Sequence, residues 1–150
     1  MDIDLSTIAD RLCINALLNR YAKAMDTQDW ELLRSVYTAD AHIDYESVGG
    51  PSDTMEAVLA WVQSTMPTFP ESQHLISNVD IAIDGDTATA EAAYFCQMKT
   101  IVGSQFFCGG RYHHRLDRTS DGWRTNHMTD AIAWSDRQDE AIAALAQPPA

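Results

Sequence analysis

The sequence predicts an α+β domain in which helices close the concave side of one curved antiparallel sheet, and three observations lead there. Apolar residues recur at helical spacing as far as Met66. From Gln73 onward the period drops to two, in four runs separated by the turns "DGD", "GS" and "TSDG". Gly109 and Gly110 interrupt the third run, and paired glycines inside a strand are a usual device for bending a sheet. Helices first and strands afterwards imply α+β rather than an alternating α/β fold. At 150 residues and 45% apolar content, one domain spanning 1–150 can bury roughly two thirds of its unfolded surface.

Ser6 or Thr7 can cap a first helix running to about Asp26, with Leu12, Ile14, Leu18, Tyr21, Ala22 and Met25 on a broad apolar face. Asp29 caps a shorter second helix in which Trp30, Leu33 and Tyr37 recur at i, i+3 and i+7. "ADAHIDY" then alternates, which predicts a strand over 41–46. "GGPSD" breaks the chain. Asp53 with Glu56 forms a capping box for a third helix, carrying Met55, Val58, Leu59, Val62 and Met66 on one face until Pro67 and Pro70 stop it. "HLISNVDIAI", "TATAEAAYFCQMKTI", "QFFCGGRYHHRLDR" and "WRTNHMTDAIAW" are the long strands of a meander. Residues 136–146 read as a short helix and "QPPA" as a frayed tail.

A net charge of −12 with no Lys/Arg run argues against nucleic acid as a partner. Cys13, Cys96 and Cys108 are odd in number and lack C-x-x-C spacing, so a disulfide framework or zinc knuckle is unsupported and a reducing cytoplasm is the expected location. Asp2, Asp4, Asp10 and Arg11 interrupt the N-terminus before a signal peptide or membrane span can build up. No H-x-H, H-E-x-x-H, P-loop, G-x-S-x-G or G-x-G-x-x-G occurs, so neither a metal nor another cofactor is expected. His113 and His114 are adjacent on a strand and point to opposite faces. Arg111 and Arg115 are expected in solvated ion pairs.

Two residues carry the chemical argument. Asp26 stands at a helix end, and His74 opens the first long strand, on the same face as Ile76 and Asn78 by alternation. That face should point inward, where a carboxylate could fix the imidazole's tautomer and stabilise its charged form. Tyr21, Tyr45, Tyr94 and Tyr112 offer phenols that can donate to a substrate oxygen. Met25, Val58, Leu59, Trp61, Val62 and Met98 would line a pocket for a flat apolar ligand. The plainer alternatives stay open: Asp26 as a turn residue, and the tyrosines and methionines as core.

"LLNRYAKAMDTQDWELLRSVYTADAHIDY", "HLISN", "DGDTATAEAAYF", "GGRYHHRL" and "DGWR", in that order, make the chain resemble the SnoaL-like branch of the nuclear transport factor-like superfamily over about 8–134, with 135–150 as a C-terminal tail. The resemblance implies a cone-shaped, cystatin-like α+β barrel around an apolar pocket. It also implies a homo-oligomer, a trimer ahead of a dimer, joined through the outer sheet face. In relatives of the scytalone dehydratase, hexachlorocyclohexane dehydrochlorinase and bile acid 7α-dehydratase types an Asp-His dyad does the chemistry, and Asp26 and His74 stand at its places. Tyr21 matches a tyrosine of the bile acid type, and Tyr45 one of the scytalone type. Met25 replaces the tyrosine that precedes the aspartate in the scytalone type, and Tyr21 replaces the dehydrochlorinase lysine. An arginine on the last strand of the bile acid type falls near His127.

The expected function is a cofactor-independent, dehydratase-like lyase or an isomerase acting on a hydrophobic cyclic substrate of steroid, terpenoid or polyketide type. His74 would be the base and Asp26 its orienting partner, with Tyr21 or Tyr45 donating to the oxygen where charge develops. Met25, Val58, Trp61, Val62, Tyr94, Met98, Tyr112 and His127 are the expected substrate contacts. A non-catalytic small-molecule binder, a structural subunit with a filled pocket, and a protein-interaction module are the alternatives.

Overall fold

Apolar spacing builds the first helix, α1 (Leu5–Thr27), in the computed structural model, which describes residues 4–146. The expected tail at 147–150 lies outside the described residues. The side chain of Asp4, rather than Ser6 or Thr7, caps α1 by accepting from the Ser6 N–H, so the helix begins earlier than its apolar stripe. Ile14, Leu17, Leu18, Tyr21 and Met25 are buried, whereas Leu12 lies off that stripe and is 65% exposed. Gln28 ends α1 in the left-handed conformation at φ 53°, its N–H reaching the carbonyls of Ala24 and Met25. Its side chain donates to the Met66 carbonyl at 3.0 Å, tying the helix end to a distant turn.

Asp29 caps α2 (Trp30–Arg34) as expected, accepting from Leu32 N–H. Tyr37 is not helical but opens β1 (Tyr37–Asp44), four residues ahead of the expected start, because it pairs with Thr125 on the last strand. The segment read as a break contains β2 (Ser52–Thr54), which pairs antiparallel with β1. Thr54, the last residue of β2, caps α3 (Met55–Thr65) in place of Asp53, its side chain accepting from Ala57 N–H. The two prolines follow at a 3-10 turn over Met66–Thr68 and just beyond it.

Four long strands follow: β3 (Glu71–Asp84), β4 (Thr87–Lys99), β5 (Gln105–Thr119) and β6 (Gly122–Asp136). They form an antiparallel meander, and β1 adds to β6 in parallel, giving the order β2-β1-β6-β5-β4-β3. The sheet is curved and unclosed, with the helices packed on it, in keeping with a cone of the nuclear transport factor type. At one end Asp10 on α1 takes two hydrogen bonds from Arg118 and one from the Trp123 indole, pinning the helix to β5 and β6. The last helix, α4 (Gln138–Leu145), buries Ala141 against the body. No helix of the described residues is long and apolar enough to cross a membrane.

Three register shifts within the meander decide which of its side chains face inward. One lies at Gly109/Gly110, where the facing strand carries an extra residue, Ala133. A second lies on β3, where Asn78 adopts φ 50° and the inward set passes from His74 and Ile76 to Val79, Ile81 and Ile83. Asn78 is therefore exposed rather than on the face of His74. The third lies on β6, where Leu116 pairs with Thr125 and Arg115 with His127, leaving Asn126 unpaired. The inward set changes there from Trp123 and Thr125 to Met128 and Asp130.

Candidate active site

Asp26 occupies the last turn of α1, where the negative end of the helix dipole disfavours a carboxylate. Its reason for being there lies on β3. Asp26 Oδ1 is 2.6 Å from His74 Nδ1, the His74 backbone N–H donates to the same carboxylate at 2.9 Å to Oδ2, and the Ser72 hydroxyl donates to Oδ1 at 3.2 Å. With a further contact from the His74 N–H to Oδ1 at 3.1 Å, four contacts from one strand replace the solvation that the helix end cannot supply. With Nδ1–H donated to Asp26, His74 Nε2 is the nitrogen left for a bound molecule. The His74 side chain is only 6% exposed.

His74 opens onto a cavity of about 210 Å³ between α1, α3, α4 and the concave sheet face. Met25, Trp61, Met66, Phe69, Met98, Phe106, Ile132 and Ile142 supply apolar wall. The four tyrosines expected at the site all line it. Tyr21 and Tyr45 hydroxyls are 2.8 Å apart, and Tyr112 meets Tyr21 edge to face at 5.2 Å and stacks on Tyr94 at 4.2 Å. Burial raises the pKa of all four phenols above their ordinary value. Cys96 and Cys108 face one another across β4 and β5 as free thiols in the same wall.

One carboxylate in the cavity was not anticipated. Asp130 on β6 is 6% exposed and accepts from the Tyr94 hydroxyl at 2.9 Å. Burial pushes its pKa up to about 6; the Tyr94 hydrogen bond and attraction to His74 oppose the shift, and repulsion from Asp44 adds to it. The Ser47 hydroxyl donates to the Asp130 carbonyl at 2.7 Å and accepts from Ile132 N–H at 3.2 Å, fixing this part of β6 to the loop after Tyr45.

A SnoaL-like domain matches residues 6–129. The chain belongs to the SnoaL-like family. An uncharacterized protein of Mycobacterium tuberculosis is 35% identical over 124 residues, covering 81% of this chain and 84% of that protein. A solved structure from Novosphingobium aromaticivorans, named as an aromatic ring hydroxylase, is 27% identical with a TM-score of 0.79 and covers 85% of this chain and 91% of its own. A type 2 hexachlorocyclohexane dehydrochlorinase superposes with a TM-score of 0.80 at 18% identity, covering 89% and 92% of the two chains, and so shares the fold.

Within this SnoaL-like chain, Asp26, His74, Tyr21, Tyr45, Met25, Trp61, Tyr94, Met98 and Tyr112 are brought together, and three expected contacts are not. Val58 and Val62, with Leu59, lie on the edge of α3 that packs against Leu33, Tyr37 and Ile43, behind Tyr45. A helix stripe about 100° wide can serve two neighbours at once, and only the Trp61 edge reaches the cavity. His127 is turned to the outer sheet face by the unpaired Asn126, where it stacks on His42 at 5.3 Å. Sequence reasoning missed Asp130, Gln138 and Ile142; the last two line the cavity from the expected short helix, which was given no part in the site. Arg111 makes the expected solvated pair, with Glu91 at 3.0 Å. Among the described residues no group of three potential ligands could hold a metal ion.

Proposed function

We propose that this SnoaL-like protein is a dehydratase-like lyase or isomerase working through the Asp26–His74 dyad on a hydrophobic cyclic substrate. The observation that carries this reading is a buried imidazole whose Nδ1 is held by a carboxylate while its ring lines an apolar cavity. A proton on a carbon beside a carbonyl could pass to Nε2, the imidazolium being stabilised by Asp26. The Tyr21–Tyr45 pair could donate to the oxygen that gains charge. The dehydrochlorinase neighbour, which by its name eliminates hydrogen chloride, is compatible with such a proton abstraction on this fold. A cavity of about 150 Å³ holds a benzene ring, so this one accommodates a compact bicyclic skeleton, and larger ring systems would extend through its mouth.

Exchange of the α-protons of 1-tetralone, a bicyclic ketone with no leaving group, isolates the base from the rest of the reaction. In heavy water the wild-type protein should accelerate deuterium incorporation seen by NMR, and His74→Ala should abolish the acceleration. Wild-type protein that leaves the exchange rate at the buffer value would remove the base assignment.

An assembly of identical chains through the outer sheet face, three rather than two, belongs to the same reading. Leu75, Phe95 and Trp134 are 52%, 40% and 46% exposed there, and neighbour one another through Phe95, which pairs with Leu75 and packs on Trp134. Light scattering on the purified protein should return the mass of three chains, and a monomer would end the proposal.

A further inference from the structure

We propose that Asp130 is the general acid of this site, protonating a departing hydroxyl, so that the substrate is a cyclic β-hydroxy ketone rather than a halide. The inference rests on the reading of His74 as base and adds the second half of the elimination.

Placement comes first. The unpaired Asn126 reverses the parity of β6, bringing Asp130 into the cavity wall that His74 also lines. Gly110 keeps the site open, because a Cβ there would stand 2.9 Å from the Tyr94 hydroxyl and 2.3 Å from the Ala131 carbonyl oxygen. Tyr94 occupies one carboxyl oxygen of Asp130. The other oxygen is available to a bound molecule.

Chemistry then separates the candidates. Hydroxide leaves poorly unless it is protonated, whereas chloride leaves as it stands. The phenols of Tyr21, Tyr45, Tyr94 and Tyr112 are weak acids made weaker by burial. Asp130 keeps its proton to a pH two units higher than an ordinary aspartate and is still a far stronger acid than any phenol. Tyr94, His74 and Asp44 bear on its charge, and Tyr21, Tyr37, Tyr45, Tyr112, Cys96 and Cys108 also lie within reach of its field. In the reaction His74 Nε2 takes the α-proton and the C–H electrons form the enolate. The enolate collapses to the conjugated double bond as the C–O bond breaks, and the Asp130 proton goes to the leaving oxygen to give water. The imidazolium then loses its proton and the carboxylate regains one through solvent, so the cycle is neutral in protons and uses no oxidant.

Three probes on the same skeleton test this: 1-tetralone for α-proton exchange, 3-hydroxy-1-tetralone for loss of water and 3-chloro-1-tetralone for loss of chloride. Asp130→Asn should lower the rate of water loss relative to chloride loss by roughly a hundredfold or more, the usual worth of a general acid. Tyr94→Phe, which leaves Asp130 in place, should move the basic limb of the water-loss pH profile upward, because the lost hydrogen bond stabilised the carboxylate. The chloride-loss profile should lack that limb. Equal losses with both leaving groups in Asp130→Asn, or a basic limb unmoved in Tyr94→Phe, would overturn the assignment of Asp130. The Tyr94→Phe comparison decides the matter even if Asp130→Asn does not fold. If wild-type protein loses water from the hydroxy ketone at a rate insensitive to Asp130 yet still exchanges 1-tetralone through His74, only the acid is lost. Absence of exchange overturns the base and the acid together.

Discussion

Asp26 shows how a position that is costly for its own element can be satisfied by a neighbouring one. A carboxylate at a helix C-terminus works against the dipole, and four contacts from β3 offset that cost while setting the His74 tautomer. Asp26→Asn keeps the shape but offers an amide where His74 Nδ1–H needs an acceptor. It should lower His74-dependent exchange of 1-tetralone roughly a hundred- to ten-thousandfold with an unchanged thermal midpoint to within a few degrees; a loss of less than tenfold would separate the dyad from the chemistry. Tyr21→Phe acts differently. It removes the 2.8 Å partner of the Tyr45 hydroxyl in a buried place and should cost about 1–3 kcal/mol in urea unfolding.

At the scale of elements, the bends in the strands matter more than the strands themselves. Gly109 and Gly110 sit at one register shift but tolerate side chains unequally. A Cβ at Gly110 meets backbone, the Ala131 carbonyl oxygen at 2.3 Å, so Gly110→Ala should destabilise by about 1–3 kcal/mol and disturb the Tyr94–Asp130 bond. A Cβ at Gly109 meets the side chain of Trp134, at 2.7 Å, and a side chain can yield where backbone cannot. Gly109→Ala should therefore cost less, and urea midpoints for the pair would reveal the order; a reversed order would mean that β6, not Trp134, yields. Alternation made the long strands legible, and the glycine pair made one bend legible. Asn78 and Asn126 gave no comparable signal, since a non-glycine bulge is imposed by the pairing partner rather than by a local preference.

For the whole molecule, two buried groups give stability opposite pH slopes. Burial pushes His114 down to about 3, from an unfolded value of about 6.5. The unfolded chain binds the extra proton between those values, so the His114 contribution is complete above about pH 6.5 and is lost as pH falls towards 3. Asp130 runs the other way. Its folded value of about 6 exceeds the ordinary 3.8, so its contribution is complete below 3.8 and is lost as pH rises through 6. His114→Gln should thus flatten the acid-side loss of stability, and Asp130→Asn should gain on wild type as pH rises from about 4 to 7. Urea midpoints over that range would refute the account if each variant kept the wild-type slope.

By itself the sequence determined the order of the helices and of every strand but β2, the glycine bend, the inward placement of His74 and the residues Asp26, Tyr21, Tyr45, Tyr94 and Tyr112, because periodicity and turn chemistry are local and travel with the chain. Tertiary structure decided that Asp26 and His74, 48 positions apart, meet at 2.6 Å. It also decided that Asp130 faces the cavity while His127 faces outward, and that Val58 and Val62 serve a different neighbour from Trp61. The physical reason is parity. Inside and outside alternate by a local rule only until an unpaired residue resets the count, and where that residue falls is fixed by the hydrogen bonds of the strand alongside.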